Sequence, residues 1–137
     1  MTEITLQCAA EASALGGLMQ GVAEFFDANA LPPGAMMPFE LAVEELFANV
    51  VTHATAAAGT ELRVWLTLST QTGAVTAEFA DDGPPFDPTL LDAPDTSLDA
   101  MDRQIGGLGL HLIKTMMDGV EYTRVDGRNR LRFHKNL

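Results

Sequence analysis

Two neighbouring segments in the middle of the sequence alternate between apolar and polar side chains. The apolar positions fall at every second residue: Leu62, Val64, Leu66 and Leu68 in the first segment and Val75, Ala77 and Phe79 in the second. A period of two predicts strands with one buried face, and the short "TQTG" connection predicts an antiparallel hairpin. Because an apolar sheet face must be covered by a second layer, the hairpin requires helices from elsewhere in the chain.

Helical periodicity on both sides of this hairpin provides that layer. In a first helix the apolar residues recur at intervals of three and four: Leu15, Leu18, Met19, Val22, Phe25 and Phe26. A second helix follows "ALPPGAMMP", has Pro38 in its first turn and extends to about Ala57. A third helix begins in "GGLGL" and ends at Gly119.

Two further strand regions complete the predicted elements. A short strand covers residues 4–8, and a final hairpin joins residues 120–125 to residues 130–134 around "DGRN". The resulting fold class is α+β, a two-layer sandwich of helices on one face of a mainly antiparallel mixed sheet. The length of 137 residues and the 47% hydrophobic content fit a single domain over residues 1–137.

The net charge of the chain limits the classes of molecule that it is expected to bind. A net charge of −11 repels nucleic-acid phosphates and anionic membranes, so we expect neither as a partner, and a protein with a basic face suits this surface better. Cys8 is the one cysteine, which excludes an internal disulfide, and the first residues lack the pattern of a secretory signal. These features favour a cytoplasmic protein.

Residues 82–105 have no helical or strand period and contain four prolines. The stretch from Glu78 to Asp102 contains eight acidic residues and no Lys or Arg. Five of the eight basic residues of the chain lie at Arg124 or after it. A solvated acidic loop beside a basic edge strand accounts for most of these charges. A loop of this length inside one domain also suits a lid over a site.

Three polar residues stack on the second helix. Glu45, Asn49 and His53 occupy positions i, i+4 and i+8, on one side of the helix. A carboxylate, a carboxamide and an imidazole in this line can hold a divalent cation and a reacting hydroxyl group. An ordinary polar helix face is the alternative interpretation.

Two glycine-containing segments add further candidates. In "ADDGPPFDP", Asp81 ends a strand and Gly83 leaves room for a flat ligand, although a plain polar turn gives the same pattern; Asp82 and Asp87 are expected to face solvent. In "GGLGL", Gly107 and its neighbours open a helix whose free N–H groups attract phosphate, or they form a flexible hinge. The spacing is neither that of a calcium loop nor that of a P-loop.

Taken together, "ELFAN", "DDGPPF" and "GGLGL" resemble the motifs of the GHKL ATPase superfamily, which includes gyrase, histidine kinases and MutL-type proteins. The short chain and the wording "DDGPPFDP" are most similar to bacterial anti-sigma factor serine-protein kinases. The resemblance implies a Bergerat ATP-binding fold with an N-box at residues 45–53, a first glycine box at 81–86, an ATP lid at 84–105 and a second glycine box at 106–110.

The resemblance also implies roles for individual residues. Asn49 would ligate Mg²⁺, Glu45 would be the general base, and His53 would lie behind the direct contacts or in the core. Asp81 would accept a hydrogen bond from the adenine amino group, and Gly83 would shape the pocket. Further ATP contacts are implied for these residues: Phe86, Arg103 at the terminal phosphate, Gly107, Leu108, Gly109 and Leu110. In the final hairpin, Arg130 and Leu131 stand where the family often has a threonine.

The function that the resemblance implies is that of an ATP-dependent serine/threonine-protein kinase. It would bind a sigma factor as an anti-sigma regulator and phosphorylate an anti-anti-sigma antagonist of the STAS type, with ATP and Mg²⁺ as cofactors and a homodimer as a possible assembly. Two alternatives stay open: an ATP-binding interaction module without catalysis, and a detached histidine kinase catalytic domain.

Overall fold

The computed structural model of the chain describes residues 2–90 and 107–137. Its five strands are β1 (Thr2–Ala9), β2 (Arg63–Gln71), β3 (Ala74–Asp81), β4 (Gly119–Val125) and β5 (Arg128–Asn136). They form one sheet in the order β1-β2-β3-β5-β4, and every neighbouring pair is antiparallel. Among the described strands there is thus no parallel pair, and the expected mixed sheet is fully antiparallel here.

The described residues also form four α-helices, which make up the second layer: α1 (Leu15–Ala28), α2 (Pro33–Asn49), α3 (Thr55–Ala58) and α4 (Gly107–Met116). A π-helical turn, Val50–Ala54, joins α2 to α3 without interrupting the helical path. Gly59 then ends the helix with a left-handed φ of 68°, a conformation that glycine adopts at little cost. The prediction of one long second helix ending near Ala57 therefore agrees with the structure except for its π turn.

The start of α2 differs from the sequence prediction. The helix begins at Pro33, a first position where the missing N–H of proline costs nothing. Pro38 therefore lies inside the helix and not in its first turn. It is buried there, and because proline has no N–H, the carbonyl oxygen of Gly34 lacks its usual helical donor.

The core lies between the helices and one face of the sheet. The alternating apolar residues of β2 and β3 are buried as predicted, and so is the stripe of α1 that contains Leu18, Val22 and Phe25. The rings of Phe39 in α2 and Phe133 in β5 stack with centroids 5.9 Å apart, which ties the two layers together. The predicted α+β class, with helices on one face of an antiparallel sheet, is confirmed.

The final hairpin brings two polar residues together at one end of the sheet. Asp126 and Gly127 have φ angles of 54° and 76°, the pair of positive values that a tight type I′ turn requires. This turn fixes the register of β5, and in that register Asn129 lies directly opposite Asp81 of β3. Both side chains point toward the helical layer, on the same face as Leu131 and Phe79.

The structure also bears on the single cysteine and on membrane-spanning segments. Cys8 is half-buried at the edge of the core, and burial raises the pKa of its thiol. Within residues 2–90 and 107–137, none of the helices is both long enough and apolar enough to cross a membrane.

Candidate functional site

A cavity of about 430 Å³ opens between the helical layer and the end of the sheet where β3 and β5 meet. The lining residues are Asn49, Val50, His53, Ala54, Ala57, Asp81, Pro84, Pro85, Phe86 and Asn129. The volume is that of a pocket for one small molecule, and the lining is mostly apolar with a few polar groups. The cavity thus combines residues from the predicted N-box with residues from the predicted first glycine box.

Asp81 supplies the carboxylate of this cavity. It is only 9% exposed, and its Oδ1 accepts hydrogen bonds from the Gly83 backbone N–H at 2.9 Å and from Asn129 Nδ2 at 3.1 Å. Burial raises the pKa of Asp81, and the bonds from Asn129 and Gly83 partly oppose this rise. Oδ2 takes no part in these bonds, so the residue keeps one acceptor oxygen for a ligand in the cavity.

Asn129 is the buried partner that holds Asp81, and the sequence reasoning missed it. It is 7% exposed, and its Nδ2 also donates to the Pro84 carbonyl oxygen at 2.8 Å. Its Oδ1 accepts from the Phe86 N–H at 3.1 Å and from the Tyr122 hydroxyl at 2.6 Å. The available signal was a polar residue on the same face of β5 as the apolar residues Leu131 and Phe133.

The side chains of the next two residues, Arg130 and Leu131, take no part in the hydrogen bonds to Asp81. Arg130 points to the opposite face of the sheet, where its Nη1 lies 3.5 Å from Oε1 of Glu78. Leu131 is buried in the core. The register of β5 thus places Asn129, and neither of the two residues that stand where the family often has a threonine, opposite Asp81.

Gly83 lies where a side chain does not fit. A Cβ built on it would be 2.9 Å from Asp81 Oδ1 and 3.0 Å from Leu62 Cδ1. Its carbonyl oxygen accepts a hydrogen bond of 2.7 Å from Arg124 Nη1, a second contact that the sequence did not indicate. Gly83 does not itself line the cavity; it shapes the site through its close approach to Asp81.

Asn49 and His53 lie on the wall of the cavity that the helices form. The sequence predicted that both face the same side of the second helix. The Oδ1 atom of Asn49 is buried and has no hydrogen-bond partner within the described residues. A buried carboxamide oxygen without a donor is a suitable ligand for a hard cation such as Mg²⁺. His53 is exposed in the π-helical turn and lines the cavity, so it does not lie in the core.

Glu45 lies one helical turn before Asn49 and is half-buried. It is not among the residues that line the described cavity. The stack of three polar residues is therefore divided: Asn49 and His53 contact the cavity directly, whereas Glu45 lies beyond its edge on the same helix.

The segment after Asp81 continues along the cavity, where Pro84, Pro85 and Phe86 belong to the lining. Phe86 is 53% exposed, although its backbone N–H is held by Asn129. Asp82 is exposed as expected, and its Oδ1 accepts from the Arg63 N–H at 2.8 Å. Asp87 is half-buried, contrary to expectation, because its Oδ1 accepts from the Thr89 N–H at 2.8 Å and so begins a helical turn.

The predicted phosphate side is described only in part. α4 begins at Gly107, within the "GGLGL" segment, and its first backbone N–H groups have no partner inside the helix. α4 packs on α2, the helix that carries Asn49. Arg103, Gly106 and the part of the predicted lid at residues 91–105 lie outside the described residues. The contacts predicted for Gly107, Leu108, Gly109 and Leu110 stay predictions.

Sequence comparison agrees with this arrangement. Residues 8–135 match the family described as "Histidine kinase-like ATPase domain", and the chain belongs to this family. It is also similar to the serine/threonine-protein kinase BtrW of Bordetella bronchiseptica, with 35% identity over 91 residues. That alignment covers 66% of this chain and 63% of the relative, so the chain matches a little less than two thirds of that protein's length. The predicted GHKL resemblance is confirmed at the level of this family.

Proposed function

We propose that this chain is an ATP- and Mg²⁺-dependent serine/threonine-protein kinase that acts as an anti-sigma regulator. The observation that carries the proposal is the pairing of two atoms around one cavity: the free carboxylate oxygen of Asp81 and the unpartnered amide oxygen of Asn49. The Asp81 oxygen can accept a hydrogen bond from a purine amino group, and the Asn49 oxygen can ligate a cation that bridges phosphates.

The chemistry divides between the two walls of the cavity. Bound Mg-ATP would supply the phosphoryl group together with a cation that neutralises its charge. Asp81 would orient the base, Asn49 would ligate the cation, and Glu45 would accept the proton of the attacking serine or threonine hydroxyl. Because Glu45 lies one turn from Asn49 on α2, an incoming hydroxyl would approach from the rim of the cavity and not through it.

The proposed partners are a sigma factor, held inactive by this protein, and a STAS-type antagonist that receives the phosphate. Support comes from the resemblance of the three motifs to anti-sigma kinases and from the name of the Bordetella relative as a serine/threonine-protein kinase. The net charge of −11 favours a partner with a basic face. We also propose a cytoplasmic location and a homodimer as the working assembly.

Intact-mass spectrometry of a candidate antagonist, mixed with this protein and Mg-ATP, tests the proposal. The expected result is a gain of one phosphate on a serine or threonine of the antagonist. Glu45→Ala should abolish this gain and leave ADP affinity unchanged, because the base acts in the transfer step and not in binding. Glu44→Ala, at the exposed neighbouring residue, is the control and should transfer normally.

A second candidate is an ATP-binding interaction module that sequesters its partner without turnover. The position of Glu45 outside the cavity lining favours this alternative. Tight ADP binding with no change in partner mass would support the module and contradict the kinase. Absence of both binding and transfer would contradict the two proposals together.

A further inference from the structure

The carboxamide of Asn129 can adopt only one orientation in this structure. The Phe86 backbone N–H is a donor that cannot accept, so the side-chain atom facing it at 3.1 Å must be Oδ1. The Tyr122 hydroxyl donates to the same oxygen at 2.6 Å. Nδ2 is thereby directed at two acceptors, the Pro84 carbonyl oxygen at 2.8 Å and Asp81 Oδ1 at 3.1 Å.

This orientation determines which oxygen of Asp81 is free. Oδ1 is occupied by two N–H donors, from Asn129 and from the Gly83 backbone. The oxygen that remains for a ligand is Oδ2, and as part of an ionised carboxylate it can only accept. Such an atom binds the 6-amino group of a purine and repels a 6-oxo group.

We infer that Asn129 is a positioning residue that makes the cavity select 6-aminopurine nucleotides over 6-oxopurine nucleotides, by holding Asp81 as an oriented acceptor. This inference rests on the proposed nucleotide-binding function. The residue that determines the discrimination, Asn129, does not itself contact the purine 6-position. Tyr122 and Phe86 contribute through their hydrogen bonds to Asn129 Oδ1, which fix the carboxamide.

The protonation state of Asp81 is central to this discrimination. A protonated Asp81 could donate to a 6-oxo group, and the selectivity would then be lost. Burial raises the pKa of Asp81 and nearby Asp82 adds to the rise, whereas Asn129, Gly83 and the cation of Arg124 oppose it. His53 on the helical wall also lines the cavity and is the other titratable group facing it in the described part of the chain.

The test compares ADP with IDP, which differ at the purine 6-position. Calorimetry should show that the wild-type protein prefers ADP by at least about tenfold, the ratio that one charge-assisted hydrogen bond provides. Asn129→Asp keeps the acceptor for Phe86 and Tyr122 but places an oxygen against Asp81 Oδ1, and it should reduce the ADP preference about tenfold. Asn136→Asp, the same change at an exposed position of β5, should leave the preference intact.

The pH dependence separates this role from a merely structural one. In Asn129→Asp the two facing carboxyl groups would share a proton, so the ADP preference should recover as the pH rises. Any rise of the wild-type preference with pH should be complete at a lower pH than this recovery, because wild-type Asp81 faces an amide and not a second carboxyl group. Repeating the series in a His53→Gln background removes the imidazole as a source of pH dependence. A wild-type ADP preference in Asn129→Asp at every pH would overturn the inference.

Tyr122→Phe provides a second variant if Asn129→Asp does not fold. Loss of the hydroxyl weakens the orientation of the carboxamide, and the ADP preference should fall about threefold. An unchanged preference in Tyr122→Phe would also overturn the inference. Failure of the wild-type protein to bind either nucleotide would instead contradict the proposed function, and equal wild-type binding of ADP and IDP would contradict the selective role of Asn129 alone.

Discussion

Arg124 Nη1 donates a hydrogen bond of 2.7 Å to the carbonyl oxygen of Gly83, and this contact ties β4 to the segment that follows β3. The cation also opposes the rise in the pKa of Asp81. Because the side chain is exposed, solvent screens the interaction, and its contribution to the stability of the whole fold is small.

We therefore expect Arg124→Met to weaken ADP binding about threefold to tenfold and to change the free energy of unfolding by less than about 1 kcal/mol. Calorimetry and thermal unfolding measure the two effects. Arg132→Met, an exposed arginine on the opposite face of the sheet, is the control and should leave ADP affinity unchanged. Equal affinities in the two variants would mean that the contact to Gly83 does not support the site.

Gly83→Ala tests the close approach of the backbone to Asp81. The added Cβ would meet Oδ1 of Asp81, which two hydrogen bonds hold in place, as well as Leu62. We expect ADP affinity to fall at least about tenfold and stability to fall by about 1–3 kcal/mol.

Gly73→Ala is the matched control for Gly83→Ala. Gly73 has a φ of 83° in the turn between β2 and β3, so alanine there should also destabilise the fold, by about 1 kcal/mol, through backbone strain. Its ADP affinity should stay that of the wild-type protein. Parallel losses of affinity in both variants would show that lowered stability, and not the geometry at Asp81, causes the effect.

Asp81→Asn should separate stability from binding. A raised pKa means that folded Asp81 binds its proton more tightly than the unfolded chain does, so its contribution to stability falls as the pH rises from the ordinary value of 3.8 through the raised value. Asparagine avoids this cost and can still accept from Gly83 and Asn129. We expect Asp81→Asn to be at least as stable as the wild-type protein at neutral pH while losing ADP affinity at least about tenfold.

Thermal unfolding at a series of pH values checks this expectation. The stability advantage of Asp81→Asn should disappear below pH 3.8, where Asp81 is protonated in both states. Asp82→Asn, at the exposed neighbour, should show little effect on ADP affinity. A constant stability difference across the series would contradict the direction of the Asp81 pKa shift.

The sequence predicted the layers of the fold well because their signals are periodic. Alternation in β2 and β3 and the spacing in α1 identify the buried faces, and these residues form the core. The start of α2 was misplaced because two prolines, Pro33 and Pro38, are both compatible with a first turn. Only the packing of Pro38 against the core decides between them.

Within the candidate site, the sequence predicted single residues better than their mutual contacts. Asp81 and Asn49 were identified from motifs, and the structure places both on the cavity. Asn129 was missed because its importance depends on the register between β3 and β5, which a one-residue shift would reverse. The contact of Arg124 with Gly83 depends on the same hairpin and has no local sequence signal.

Asn49→Ala should remove the cation dependence of nucleotide binding without a loss of stability. In the wild-type protein we expect removal of Mg²⁺ by a chelator to weaken ADP binding, because the buried Oδ1 of Asn49 is positioned as a ligand. The variant should bind ADP equally with and without Mg²⁺. Its stability should match or exceed that of the wild-type protein by up to about 1 kcal/mol, since an unpaired buried acceptor is removed.

Asn29→Ala gives the contrasting control for Asn49→Ala. The Nδ2 atom of Asn29 donates to the Phe25 carbonyl oxygen at 2.8 Å at the end of α1, so its loss should destabilise the fold by about 1 kcal/mol. The Mg²⁺ dependence of ADP binding should be unaffected there, because Asn29 does not line the cavity. If Asn49→Ala instead resembles Asn29→Ala, with lower stability and normal Mg²⁺ dependence, then Asn49 has a structural role and the cation is held elsewhere.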